Sequence, residues 1–189
     1  MPQEDALRWN KRYLLEDSGS DRLPRTLLVD NHSFLPRQGL VFEAAMGLGS
    51  NVGFLMERGL QVIGVDISEV AIRRAKQRFP QLWAVVADLT HFFFPHAAFD
   101  VVLNFFYLER FLWPDYIKSL KPGGVLYFET LMVDMLQIHP DLNPAHLLNK
   151  DELRLGFAEL EILVYREGWV KSETGHSRAV ASLIGRKPG

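Results

Sequence analysis

The stretch Val41–Ser68, VFEAAMGLGSNVGFLMERGLQVIGVDIS, decides the fold. Two apolar, β-branched runs each end in an acid, Glu43 and Asp66. Between them lie a loop carrying Gly47 and Gly49, then a short helical pattern stopped by Gly59, a residue suited to a helix C-terminal cap. A strand, a glycine loop, a helix and a second strand form a βαβ unit, and glycines in such a loop let the backbone approach a bound molecule. A dinucleotide fingerprint needs Gly-x-Gly-x-x-Gly. Gly47, Gly49 and Gly53 are one residue too widely spaced for it, and the shifted frame Ala45, Gly47, Ser50 loses two of its three glycines. A nicotinamide site fits poorly.

The alternation continues outward from this unit. Ser68 is placed to cap a helix over EVAIRRAKQRF, with Val70, Ala71, Ala75 and Phe79 as its apolar face. QLWAVVADL and FDVVLNFFYL read as the third and fourth strands, and KPGGVLYFET as a turn and a fifth. LERFLWPDYIKSL is helical with a new turn at Pro114. Strands alternating with helices predict a doubly wound, mostly parallel α/β sheet. AELEILVYREG and SRAVASLIGRKPG alternate at period two with no helix between them, so they predict an antiparallel C-terminal hairpin. Upstream, residues 4–16 and the segment RTLLVDNHSFLP, ending near Pro36, predict two short helices separated by a break at DSGSDRLP.

The bulk numbers bound the class. A chain of 189 residues, 48% hydrophobic and 23% charged, reads as one soluble domain. Its net charge of -2 offers no general attraction to phosphate backbones, so neither DNA nor RNA is an expected partner. No apolar run is long enough to span a bilayer and no apolar leader opens the chain, so the cytoplasm is expected and a membrane is not. The absence of cysteine removes disulfides, thiolate ligands and every cysteine nucleophile. The only dense basic stretch, EVAIRRAKQR, reads as the solvated side of its helix.

Taken together these residues resemble the class I S-adenosylmethionine-dependent methyltransferase family over nearly the whole chain. The family's acid-x-Gly-x-Gly pattern is matched by Glu43, Ala45, Gly47 and Gly49, with Ala45 as the departure; its second acid is Asp66 and its third Asp88 in VVADL. A segment spanning YLER, LKPGGVLYFET and NPAHLLNKDEL is similar to small bacterial methyltransferases of the tellurite-resistance and thiopurine groups. The resemblance implies a seven-stranded Rossmann-like sheet, S-adenosylmethionine as cofactor with S-adenosylhomocysteine as product, no metal, and in-line methyl transfer to a small-molecule acceptor. An RNA or protein acceptor, or a binding protein without catalysis, remains the alternative. One domain is expected over 1–189, with a helical lid region at 1–36 and the sheet core at 37–189.

Within that reading Glu43 complements the cofactor's ammonium, Gly47 and Gly49 admit its amino acid portion, and Asp66 accepts from the ribose hydroxyls. Asp88 accepts from the adenine amine, Ile67 and Leu89 sandwich the ring, and Asn104 closes the cofactor site at the end of the fourth strand. Ala45 is tolerated if its φ is negative. Phe92–Phe94 is expected as core or as adenine-pocket wall. Trp9 and Tyr13, one helical turn apart, are expected to cover the mouth of the site, with Tyr107 and Arg110 as further acceptor contacts. The segment after the fifth strand, with Glu129, His139 and His146, is the expected acceptor-shaping insertion. No residue is singled out as catalytic, because S-adenosylmethionine arrives activated and alignment can carry much of the rate.

Overall fold

The structure is a computed structural model describing residues 2–15 and 23–189. Of the break expected over residues 17–24, all but Leu23 and Pro24, which lie outside any helix, falls outside the described residues. Strands β1 (Gly39–Ala44), β2 (Leu60–Asp66), β3 (Trp83–Val86), β4 (Phe99–Phe105), β5 (Leu120–Leu131), β6 (Glu161–Lys171) and β7 (Ser177–Arg186) form one sheet in the order β3-β2-β1-β4-β5-β7-β6. The first five are mutually parallel, and β7 runs antiparallel to both β5 and β6. The doubly wound sheet and its terminal hairpin are therefore as the period-two and helical patterns predicted.

Side chains of the central strands alternate between two cores because successive Cβ atoms point to opposite faces. Phe42, Ala44, Val102, Leu126 and Phe128 enter one core with Trp113, Tyr116 and Phe157. Val41, Val62, Val101, Leu103, Val125, Tyr127 and Ile184 enter the other with Leu28 and Leu55. Each such buried side chain stabilises the fold by about 1.5–3 kcal/mol relative to exposure.

Apart from α1, the helices are shorter than their patterns. α1 spans Pro2–Leu15, α2 Thr26–Asp30, α3 Val52–Met56, α4 Glu69–Arg78, α5 Trp113–Ser119 and α6 Glu152–Gly156. The second predicted helix splits into α2 and a 3-10 turn at His32–Phe34, ending before Pro36. Ser68 caps α4 by accepting from the Ala71 amide, and Pro114 sits in the first turn of α5, both as predicted. The buried face of α4 is Ala71, Ile72 and Ala75; Ile72 takes the place expected for Val70. No helix among the described residues is long and apolar enough to cross a membrane.

The sheet order reverses between β1, which continues outward to β2 and β3, and β4, which continues to β5. At such a switch point the connections leave in opposite directions and open a crevice beyond the strands' carboxyl ends. Glu43, Asp66 and Asn104 sit at those ends, and Asp88 follows β3 by two residues.

Candidate active site

The loop after β1 is closed by a side chain of β2. Asp66 accepts from the amides of Gly47 at 2.7 Å and Ser68 at 2.8 Å, one on each carboxylate oxygen, and it is only 5% exposed. Burial pushes its pKa up, and the Ser68 and Gly47 amides offset part of that rise. The expected ribose acceptor is therefore also the staple that shapes the glycine loop. Two bonds leave lone-pair capacity on both oxygens, since a carboxylate offers about four acceptor positions.

Ala45 departs from expectation. Its φ is +48°, in the left-handed region where a β-carbon crowds the carbonyl, and not the negative φ its identity suggested. The turn out of β1 demands that conformation whichever residue occupies it. Gly47 (φ +59°) and Gly49 (φ +71°) share the region without strain. A β-carbon at Gly47 would also lie 2.7 Å from the Tyr13 hydroxyl, so glycine is required there for contact as well as for φ.

Glu43 is the most unusual group. Its Oε1 accepts from Asn51 Nδ2 at 2.7 Å, while its buried Oε2 has no hydrogen-bond partner. Burial pushes its pKa up to about 7; the Asn51 bond and the Arg25 charge lower it, and Asp66 raises it further. A buried carboxylate oxygen without a donor costs on the order of 1–3 kcal/mol, so this atom is poised for a cationic donor. The loop opened by Gly47 and Gly49 and the orphaned acid beside it fit a ligand that carries an ammonium group.

Asp88 is more open. Partial burial raises its pKa, but the Thr90 amide at 2.9 Å, the Thr90 hydroxyl and His91 together outweigh burial and hold it below the usual carboxylate range. Leu89 is buried and Ile67 half-buried, at the two sides of the β2–β3 edge. In the phenylalanine run Phe94 enters the core against Phe42 and Tyr116, whereas Phe93 is 82% exposed.

Helix α1 docks over this loop. Asn10 Oδ1 accepts from the Ser68 hydroxyl at 2.6 Å and the Val70 amide at 3.2 Å, and Arg74 donates to the Tyr13 carbonyl. Trp9 and Tyr13 stack with ring centroids 5.6 Å apart, and Tyr13 is buried against Gly47. Tyr107 is half-buried. Burial first, then the Glu109, Asp88, Asp5 and Asp66 charges, raise its pKa.

Two expected contacts are already committed elsewhere. Asn104 is fully buried: its Nδ2 donates to the Tyr107 carbonyl at 2.7 Å and its Oδ1 accepts from Tyr116. It braces the loop after β4 rather than lining an open cofactor surface. Arg110 pairs with Glu152 and donates to the Ala145 carbonyl at 2.8 Å and the Leu147 carbonyl at 2.9 Å. Its guanidinium ties the insertion after β5 to the loop after β4, which leaves it no fork for an acceptor. His139 follows the 3-10 turn Val133–Gln137 of that insertion and His146 ends its turn Pro144–His146, both at solvent-exposed positions.

Asn10, Arg25 and Asn51 were not singled out in the sequence. Arg25 donates its amide to Asn51 Oδ1 at 2.9 Å, so a chain of contacts runs from Glu43 through Asn51 to Arg25. Asn51 alone carried a local signal, as the polar residue just before α3.

Comparison with known proteins agrees with this geometry. Residues 42–128 match the model of a methyltransferase domain. A probable S-adenosylmethionine-dependent methyltransferase of Mycolicibacterium smegmatis is 28% identical over 79% of this chain and 60% of its own length. A trans-aconitate 2-methyltransferase of Rhodopseudomonas palustris is 32% identical over 75% of this chain and 54% of its own. The chain thus spans less than two thirds of either relative. Among solved structures, an S-adenosylmethionine-dependent methyltransferase from Methanosarcina mazei superposes with a TM-score of 0.69 at 19% identity, covering 83% of this chain and 96% of that one. In sequence the chain is similar to S-adenosylmethionine-dependent methyltransferases, and it shares the fold of a solved one.

Proposed function

We propose that this chain binds S-adenosylmethionine in the β1–β2–β3 cradle and transfers its methyl group to a small-molecule acceptor held beyond β4 and β5. The orphaned Glu43 oxygen beside a loop that carries Gly47 and Gly49 is the observation that carries this reading. When bound, S-adenosylmethionine supplies an electrophilic methyl carbon on a sulfonium.

The protein's own work is placement. Glu43 pairs with the ammonium, Gly47 and Gly49 admit the amino acid portion, Asp66 accepts from the ribose hydroxyls, and Asp88 accepts from the adenine amine beside Ile67 and Leu89. Ala45 shapes the turn. Tyr107 contacts the acceptor, and α1, through Trp9 and Tyr13, covers the cradle and excludes water. Asn104 and Arg110 act indirectly, by fixing the loop after β4. Relatives whose names specify small molecules, trans-aconitate and demethylmenaquinone, support a small acceptor over a polymer.

Calorimetry tests the cofactor. S-adenosylhomocysteine should bind with NAD giving no heat, and Glu43→Gln should weaken binding about tenfold or more through loss of a charge-assisted bond. Binding of NAD in place of S-adenosylhomocysteine would overturn the assignment.

A further inference from the structure

A second concavity, about 290 Å³, opens at the carboxyl ends of β4 and β5 beside β7. Its walls include Phe106, Glu129, Arg166, Lys171, Glu173 and Arg178. Glu129 projects from the same sheet face as Glu43: Glu43 pairs with Leu103, Leu103 with Tyr127, and Glu129 lies two residues further along β5. Two strand spacings separate β1 from β5, so the cleft begins roughly 10 Å from the cradle, on the acceptor side.

Three observations give this cleft a chemistry. The first is its charge. Arg166, Lys171 and Arg178 line it, and Arg25 stands behind it, bonded to Glu173 at 3.3 Å. Glu129 and Glu173 are the carboxylates among its lining residues, so cations exceed anions there by one. The second is an unmet donor: Arg25 Nε is buried without a hydrogen-bond partner. The third is strain. Phe106 has φ +60°, a costly conformation for a bulky residue, and the guanidiniums of Arg25 and Arg178 lie over its ring, 4.7 Å and 5.1 Å from the centroid. Strained residues of this kind cluster where a ligand is gripped. Holding like charges this close is unfavourable: burial and the neighbouring Arg25 both lower the Arg178 pKa. An incoming anion relieves that repulsion.

We infer that this cleft is the acceptor pocket and that it takes a small carboxylate-bearing molecule, docked through the guanidiniums of Arg166 and Arg178. The inference rests on the methyl-transfer reading for the acceptor's role, but the anion site itself does not. A volume of about 290 Å³ has room for a compact di- or tricarboxylate. Arg25 couples the two sites, since its amide holds Asn51 beside Glu43 and its side chain holds Glu173 at the cleft. The polar wall orients the acid end of the acceptor, leaving its other end to face the cradle past Phe106.

The test titrates citrate, inorganic phosphate and neutral succinamide into the protein saturated with S-adenosylhomocysteine, for wild type, Arg166→Gln and Arg178→Gln. Citrate should bind saturably with a Kd below roughly 1 mM. Each substitution should weaken it about tenfold or more, while S-adenosylhomocysteine affinity and Tm hold. Arg166, half exposed, guards against misfolding of the Arg178 variant. Citrate heats that are absent, or indifferent to both substitutions, overturn the inference, as does binding of phosphate alone or of succinamide equally well. If S-adenosylhomocysteine fails to bind but citrate binding depends on both arginines, the methyl-transfer reading falls and the anion site stands.

Discussion

Along one edge of the sheet, the cradle at β1–β2–β3 is acidic and the cleft at β4–β5–β7 is basic, and the two are built in opposite ways. The cradle is local. Gly47, Asp66 and Ser68 come from one βαβ unit, and backbone amides satisfy the acid. The cleft is non-local. Arg25 precedes β1, Phe106 follows β4, and Arg166, Glu173 and Arg178 belong to the terminal hairpin or its turn. Changes in the cradle should therefore cost stability and cofactor affinity together, whereas changes in the cleft should cost anion binding alone.

The largest effect that sharpens this contrast is expected from Asp66→Ala. It strips the acceptor from two buried amides, and at about 1–3 kcal/mol per unsatisfied group it should cost roughly 2–5 kcal/mol of folding stability by denaturant melts. It should also abolish measurable S-adenosylhomocysteine binding. Arg166→Gln, with its partner Glu129 at 3.8 Å, should move stability by no more than about 0.5 kcal/mol. Equal losses from the two would break the contrast.

Next is pH. The folded-state pKa of Glu43 is pushed up to about 7 from an ordinary 4.5, chiefly by burial. Between those values the folded protein holds a proton that the unfolded chain has released, so stability falls as pH rises through the window and levels off above it. The fall is up to roughly 3 kcal/mol at 1.36 kcal/mol per pH unit. Stability curves at pH 5 and pH 8 should show it, and Glu43→Gln should remove most of it. S-adenosylhomocysteine binding near pH 6.5 should release protons, detected as heats that vary with buffer ionisation enthalpy. A pH-independent Tm would return Glu43 to a purely structural role.

A smaller effect concerns α1. Asn10→Ala removes the acceptor for the Ser68 hydroxyl and the Val70 amide, and should cost about 1 kcal/mol. Hydrogen exchange across residues 2–15 should then quicken, and S-adenosylhomocysteine should slow it again in wild type. Exchange that ignores the ligand would make α1 a strut and not a cover. Smallest is Ala45→Gly. Relief of a left-handed alanine, about 1–2 kcal/mol, is partly cancelled by glycine's entropy, leaving about 0.5–1 kcal/mol of added stability.

The same local and non-local division explains what the residues disclosed before any coordinates. Glu43, Gly47, Gly49 and Asp66 were visible because strand ends and loop chemistry are written within about 25 residues of chain. The parallel sheet followed from the alternation of strand and helix patterns, and the antiparallel hairpin from the missing helix between β6 and β7. The φ of Ala45 was hidden, because a residue type reports a preference and the turn imposed the dihedral. Arg110 looked available only because Glu152, its partner, lies 42 positions away. Arg25, Phe106 and Arg178 converge through three connections that no spacing rule links.

The insertion of β7 between β5 and β6 also governs how the chain is made. Strands β1 to β5 can pair as they emerge, yet β5 keeps a bare edge along VLYFETL until residues 177–186 arrive to cover it. β6, synthesised earlier, has no seat in the sheet before then, since its hydrogen bonds run to β7. Sheet closure thus waits for the synthesis of β7, and the nascent chain carries an exposed apolar strand edge, a template for aggregation, through the synthesis of about 50 residues. Expression yield should depend on this final strand more steeply than on any residue of the cradle or the cleft.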